Sequence, residues 1–217
     1  MTSETVDFWF DVISPYAWLA AHELPRLQQA GLQIRARPVL FAALLNAHGN
    51  LGPAEIPAKR AHLAHDVLHR ATMRGLNFQG PPHHPFNPLL ALRMCCAQSD
   101  DAQRLTLATR LMRAAWEEGA DLEQPAQLQA LAAACGQDGA ALLAAAASAA
   151  VKQSLQANAE AALAAGVFGV PTLEWRGELF WGADRIEHML WRQAGHRPDL
   201  ERIPTILARP ASARRKP

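Results

Sequence analysis

Apolar and polar side chains alternate at the start of the chain. Val6, Phe8, Phe10 and Val12 fall on one face and Asp7, Trp9 and Asp11 on the other, the two-residue period of a strand. The run stops at Ser14-Pro15, where serine suits a helix cap and proline the first helical position. A helix is predicted from about 15 to 30, with Trp18, Leu19, Leu24 and Leu27 on its apolar side, and Pro25 inside it predicts a kink or a break. Gly31 ends that helix before a second alternating strand over 32–39. The opening therefore reads strand, helix, strand.

From 41 to 165 the pattern changes. No strand is predicted, and helical periodicity recurs at 58–75, 88–98, 101–118, 125–134, 138–147 and 151–165. The alanine-rich stretch 139–150 resembles low complexity, but Leu142, Leu143 and Leu155 give it a face to bury, which favours packed helix over linker. After Gly166 the strand pattern returns in Pro171-Thr172-Leu173-Glu174-Trp175, turns at Arg176-Gly177-Glu178 and resumes in Leu179-Phe180-Trp181. Gly182-Ala183-Asp184 then leads into a helix over 185–194, with Asp184 placed to cap it. This order is that of an α/β thioredoxin-like fold with a large all-helical insertion after its second strand. The predicted division is a discontinuous thioredoxin-like domain, 1–40 and 166–207, a helical insertion domain, 41–165, and a disordered tail, 208–217.

Composition narrows the function classes. Lys and Arg number 21 against 20 for Asp and Glu, with Arg209, Arg214, Arg215 and Lys216 close to the C-terminus, so nothing suggests a nucleic-acid partner. The longest uncharged run, 139–151, falls well short of the roughly 20 apolar residues that cross a bilayer. Met1-Thr2-Ser3-Glu4 lacks the basic start and apolar stretch of an export signal, so a cytoplasmic protein is expected. Cys95, Cys96 and Cys135 show no C-x-x-C spacing and read as thiols of a reducing compartment. His62, His65 and His69 share one helix face, yet no independent sign of an open metal site accompanies them, and no metal is expected.

A loop that leaves a strand and opens a helix presents free N–H groups and the positive end of a helix dipole, which favours an anion. Thioredoxin-type redox proteins place a cysteine pair there. Here the segment is Ser14-Pro15-Tyr16-Ala17, with no cysteine at either end, so dithiol–disulfide cycling at this point is excluded. The Ser14 hydroxyl is instead suited to donate to a thiolate brought by another molecule. A helix cap and nothing more is the plainer reading of Ser14. Val170-Pro171-Thr172 is the second element: in thioredoxin folds such a proline is typically cis and leaves the preceding residue free to pair with a peptide ligand, although an ordinary proline starting a strand fits as well.

Six segments taken together resemble the 2-hydroxychromene-2-carboxylate isomerases, relatives of the kappa-class glutathione transferases in the DsbA-like branch of the thioredoxin superfamily. They are Phe10-Asp11-Val12-Ile13-Ser14-Pro15-Tyr16-Ala17-Trp18-Leu19, Arg37-Pro38-Val39-Leu40, Gly49-Asn50-Leu51-Gly52-Pro53, Phe86-Asn87-Pro88, Val167-Phe168-Gly169-Val170-Pro171-Thr172 and Trp181-Gly182-Ala183-Asp184-Arg185, spread over about residues 5 to 195. The resemblance implies glutathione as cofactor. Ser14 would contact its sulfur, Val170 with Pro171 would pair with its cysteinyl backbone, Asp184 and Arg185 would hold its γ-glutamyl end, and Asn50 and Lys59 would grip the rest. Without that match Asp184 and Arg185 read as a cap and a solvated charge.

On the substrate side the resemblance implies Tyr16, His84, Phe86 and Asn87 around an aromatic small molecule, with His83-His84 equally readable as loop surface. The Leu44-Leu45 stretch departs from isomerases that carry a lysine nearby. The implied reaction is the interconversion of 2-hydroxychromene-2-carboxylate and trans-o-hydroxybenzylidenepyruvate in naphthalene breakdown, through thiolate addition, ring opening, bond rotation and elimination. Relatives also imply a homodimer. Two other classes share these residues: a kappa-like transferase or peroxidase, which would consume glutathione, and a non-catalytic thioredoxin-fold binding protein.

Overall fold

The structure, a computed structural model, describes residues 4–210, 212 and 213. The N-terminal alternation forms β1 (Glu4–Phe10), in which Val6, Phe8 and Phe10 are fully buried. Helix α1 (Pro15–Ala21) starts at Ser14-Pro15 and stops after two turns, and α2 (Leu24–Gln29) restarts beyond His22 and Glu23. Pro25 has no N–H to give, and its ring would crowd the carbonyl four residues back, so the chain breaks and uses it in the first turn of a new helix. Strand β2 (Leu32–Pro38) then lies parallel to β1.

The insertion supplies α3 (Phe41–Ala47), a 3-10 turn at Pro53–Glu55, α4 (Pro57–Met73), α5 (Leu89–Ala97), α6 (Asp101–Glu118), α7 (Pro125–Ala134), α8 (Gly139–Ala146) and α9 (Ala149–Ala164). Six of these follow the periodicity of the sequence within a few residues. The additional one, α3, has no capping side chain at Leu40; its first N–H, on Phe41, is held by Asp11 from another part of the chain. The last segment gives β3 (Thr172–Trp175), β4 (Glu178–Trp181), α10 (Ile186–Gln193) and a further short helix, α11 (Arg202–Leu207), that no sequence pattern indicated. The hairpin turns on Arg176 and Gly177 alone, both at positive φ (54° and 74°), so Glu178 opens β4 instead of sitting in the turn. Of the tail expected to be disordered, residues 211 and 214–217 lie outside the described residues, as do residues 1–3.

The sheet runs β2-β1-β3-β4, with β3 antiparallel to both neighbours. Phe8 stands opposite Ala36 and Leu173, and Val6 opposite Ile34, which makes one apolar face. That face belongs to a buried cluster that continues through Trp18, Leu19, Leu107, Leu111, Met112, Leu128 and Leu142, so strands and insertion share one core. On the other face Trp9 packs with Val39, Leu44, Ala159, Ala162, Val167 and Val170, under α3 and α9. The junction of α7 and α8 is especially close: a Cβ on Gly139 would stand 2.3 Å from the Gln129 carbonyl oxygen. Gly139→Ala is expected to lower the unfolding free energy by about 1–3 kcal/mol. A urea titration reads this as a lower midpoint, and an unmoved midpoint would mean that the two helices separate freely.

Candidate active site

Ser14 is the N-cap of α1, with φ −92° and ψ 115°, and is 7% exposed. Its Oγ accepts from the Ala17 N–H at 3.2 Å. A hydroxyl that accepts one bond still has its hydrogen to donate, so the cap leaves Ser14 able to address an anion at the helix mouth.

Side chains from three directions fasten the loop that delivers Ser14. Asp11, fully buried, accepts from the Ile13 N–H at 3.0 Å and the Phe41 N–H at 2.9 Å. Trp116, on α6, donates its indole N–H to the Val12 carbonyl at 3.0 Å. His84 brings Nε2 to 3.2 Å from the Ile13 carbonyl. A carbonyl only accepts, so this contact puts the proton on Nε2. Burial holds His84 below the usual histidine range, in line with a neutral ring, and the same desolvation pushes Asp11 up to about 7 despite its two N–H partners.

Strand register brings the other predicted residues to this end of the sheet. Trp9 stands opposite Thr172, so the Val170–Pro171 peptide lies beside the C-terminal end of β1, and it is cis. Val170 is 7% exposed, and among the described residues its N–H and C=O make no backbone hydrogen bond outside the strands. Thr172 in turn stands opposite Trp181, which carries Gly182, Asp184 and Arg185 to the same end. Asp184 does not cap α10, whose N-cap is Arg185 with no side-chain bond. Its carboxylate instead folds back over Gly182, where a Cβ would meet Oδ1 at 2.6 Å, and takes the Arg185 Nη1 at 2.7 Å. Gly182 is at φ +112°, a conformation that suits glycine, and this bend turns the acid away from the helix.

Tyr16 donates its hydroxyl to Asp66 Oδ2 at 2.8 Å, and Arg70 Nε reaches the same oxygen at 2.8 Å. Burial first, then Asp66, pushes the Tyr16 phenol up to about 12, and the Asp184 charge acts in the same direction. Burial alone would lift Asp66 as well, but the Tyr16 and Arg70 bonds outweigh it and hold the carboxyl below the usual range. This bond joins the mouth of α1 to α4 of the insertion.

Not every predicted residue is tied to this centre by a contact. Asn50 is exposed beyond α3, its N–H bonded to the Leu45 carbonyl, and Lys59 is exposed in the first turn of α4. Phe86 is 8% exposed and packs in the main core, while Asn87 is exposed and accepts from the Leu89 N–H at the start of α5. His83 is exposed, and His62, His65 and His69 lie exposed on α4. Burial pushes Cys96 up to about 11 and raises Cys95, on which the Asp11 charge acts in the same direction, and Cys135, so none is a thiolate at neutral pH.

Asp11, Trp116, Asp66 and Arg70 were not singled out by sequence reading. Only Asp11 left a local trace there, as an acid inside the otherwise apolar run 10–13.

Comparison with known proteins bears on the fold and the family. The DSBA-like thioredoxin domain family matches residues 5–192. The 2-hydroxychromene-2-carboxylate isomerase of Pseudomonas putida is 31% identical over 189 residues, covering 83% of this chain and 90% of the relative. Glutathione S-transferase kappa 1 of Homo sapiens is 28% identical over 202 residues, covering 84% and 88%. A solved 2-hydroxychromene-2-carboxylate isomerase superposes with a TM-score of 0.78 at 28% identity, covering 94% of this chain and all of that one. The chain thus belongs to the DSBA-like thioredoxin domain family, alongside the 2-hydroxychromene-2-carboxylate isomerases and the kappa-class glutathione transferases.

Proposed function

We propose that this protein is a glutathione-dependent isomerase that interconverts 2-hydroxychromene-2-carboxylate and trans-o-hydroxybenzylidenepyruvate. The observation that carries the reading is Ser14: the helix mouth where thioredoxin-type redox proteins carry a cysteine holds a buried hydroxyl that accepts one bond and keeps its hydrogen to donate, and the cis Val170–Pro171 peptide lies at the same end of the sheet. Such a site suits a sulfur anion that arrives from outside. When bound, glutathione supplies a nucleophilic sulfur that adds reversibly to the conjugated substrate and is returned unchanged.

The chain's own residues bind and orient. The Ser14 hydroxyl donates to the sulfur, and the α1 N-terminus adds its positive end. Val170, beside Pro171, offers its backbone to the cysteinyl unit as an added strand. Asp184 matches an α-amine and Arg185 a carboxylate, so their mutual bond is one that a γ-glutamyl zwitterion can take over. Asn50 and Lys59 face the remaining peptide, and Tyr16, His84, Phe86 and Asn87 make the substrate side. The partner is an aromatic small molecule, the setting cytoplasmic and the assembly a homodimer.

The identity to human glutathione S-transferase kappa 1 favours a second reading, a kappa-like transferase or peroxidase on the same site. Calorimetry with glutathione, followed by isomerisation assays in which free thiol is counted, tests both. Binding with turnover and constant thiol is the expected result. Thiol lost in step with product would replace the isomerase by the transferase, and absence of binding would remove both.

A further inference from the structure

Trp116 has no part in the ligand-binding roles proposed above, yet it is 2% exposed and spends its only polar atom on the active-site loop. Two rings contact its indole. Phe78 stacks on it with centroids 6.2 Å apart and planes 6° from parallel, and His84 meets it edge-on at 5.2 Å. Phe78 in turn stacks on Trp18 of α1 at 5.9 Å, so the insertion and the first helix grip one aromatic column. From the end of that column the indole N–H reaches Val12, 104 residues away in sequence. With His84 on the next carbonyl and Asp11 on the Ile13 N–H, the backbone between β1 and Ser14 is fixed by side chains group by group.

We infer that Trp116 is a positioning residue for Ser14: by binding the Val12 carbonyl it fixes the loop that aims the hydroxyl and keeps that carbonyl's negative end compensated near a bound thiolate. This rests on the glutathione reading. Two effects follow from losing the N–H, and they have the same sign. A looser loop misaims the Ser14 hydroxyl, and an uncompensated carbonyl oxygen opposes a nearby anion, so both raise the pKa of the bound thiol.

Trp116→Phe removes the N–H and keeps an aromatic ring against Phe78 and His84. The measurement is the pH titration of the ultraviolet thiolate band of bound glutathione, with Leu128→Ala, a core truncation on α7, as the control for general loss of stability. The expected result is a midpoint raised by about 0.5–1 pH unit in Trp116→Phe, which is about three- to tenfold less thiolate below the midpoint, and an unmoved midpoint in Leu128→Ala. An unmoved midpoint in Trp116→Phe overturns the inference while leaving the glutathione reading in place. No thiolate band in the wild type overturns both.

If Trp116→Phe does not fold, the wild-type chain carries the test through the Trp116 indole N–H resonance. Its shift should follow the thiolate midpoint when bound glutathione is titrated, and a resonance indifferent to that titration overturns the inference.

Discussion

Ser14→Ala is expected to reduce the proposed isomerase turnover at pH 7 by about 10- to 30-fold while most of the glutathione affinity remains. A hydrogen bond to a charged acceptor contributes about 1.5–3 kcal/mol, which corresponds to about one to two pKa units on the bound thiol. A thiol near its ordinary value of about 8.5 is only a few per cent ionised at neutral pH, so the thiolate fraction, and with it the turnover, falls by about 10- to 30-fold; the wild-type thiol is already largely ionised, which caps the loss. The peptide contacts proposed for Val170, Asp184 and Arg185 would not involve Ser14, so affinity should change less than rate. The variant should therefore recover as the pH is raised towards 9, where the thiol ionises unaided. Stability changes separately, by about 1 kcal/mol, through loss of the cap on Ala17. Wild-type turnover with a wild-type pH profile would reduce Ser14 to a helix cap. A loss that persists at high pH would mean that the hydroxyl acts on something other than the sulfur.

The sheet and most helices were legible because their causes are local. The period of two from Val6 to Val12, the Ser14-Pro15 start and the glycine at 31 act within a few residues, and so does the proline that splits α1 from α2. Where the structure departs from the sequence reading, the cause comes from elsewhere in the fold or from backbone torsion. Helix α3 starts at Phe41 because Asp11, thirty residues earlier, accepts its first N–H. Asp184 has the residue type and position of a cap, but Gly182 at φ +112° folds the acid back onto the loop, and α10 begins two residues later. The six-residue α11 buries none of its side chains, so it carries no amphipathic pattern to detect.

The same distinction runs through the site. Ser14 and Pro171 announce themselves by type and place, since a serine at a strand-to-helix turn and a proline before a strand each have a stated local role. Their surroundings do not. Trp116 reaches Val12 across 104 residues, His84 reaches Ile13 across 71 and Tyr16 reaches Asp66 across 50, and each pairing exists only once the insertion has packed against α1. A family resemblance transfers the residues that touch a ligand, whereas the residues that hold those residues have to be found from geometry.

Asp11 should make the protein less stable as pH rises from about 4 to about 7, the reverse of the common carboxylate. Its pKa is raised in the folded chain, to about 7 from an ordinary value of 3.8, because burial costs the charged form more than the Ile13 and Phe41 N–H groups return. In that window the folded state holds a proton that the unfolded state has released, so stability falls by up to about 1.4 kcal/mol per pH unit, about 4 kcal/mol in all, and levels off above the folded pKa.

Asp11→Asn isolates this effect, since every other titrating group is common to both chains. The amide directs a donor at one of two N–H groups and leaves it unpaired, a fixed handicap of about 1–3 kcal/mol. Near pH 4 the variant is therefore expected to be the less stable protein, and the difference should shrink and then reverse between about pH 4.5 and 6, before neutrality is reached. Urea midpoints at pH 4, 5, 6, 7 and 8 would trace that crossing. Parallel curves would mean that Asp11 ionises at an ordinary pKa in the folded chain, and that the two N–H bonds outweigh burial and hold a permanent anion beneath the loop that carries Ser14.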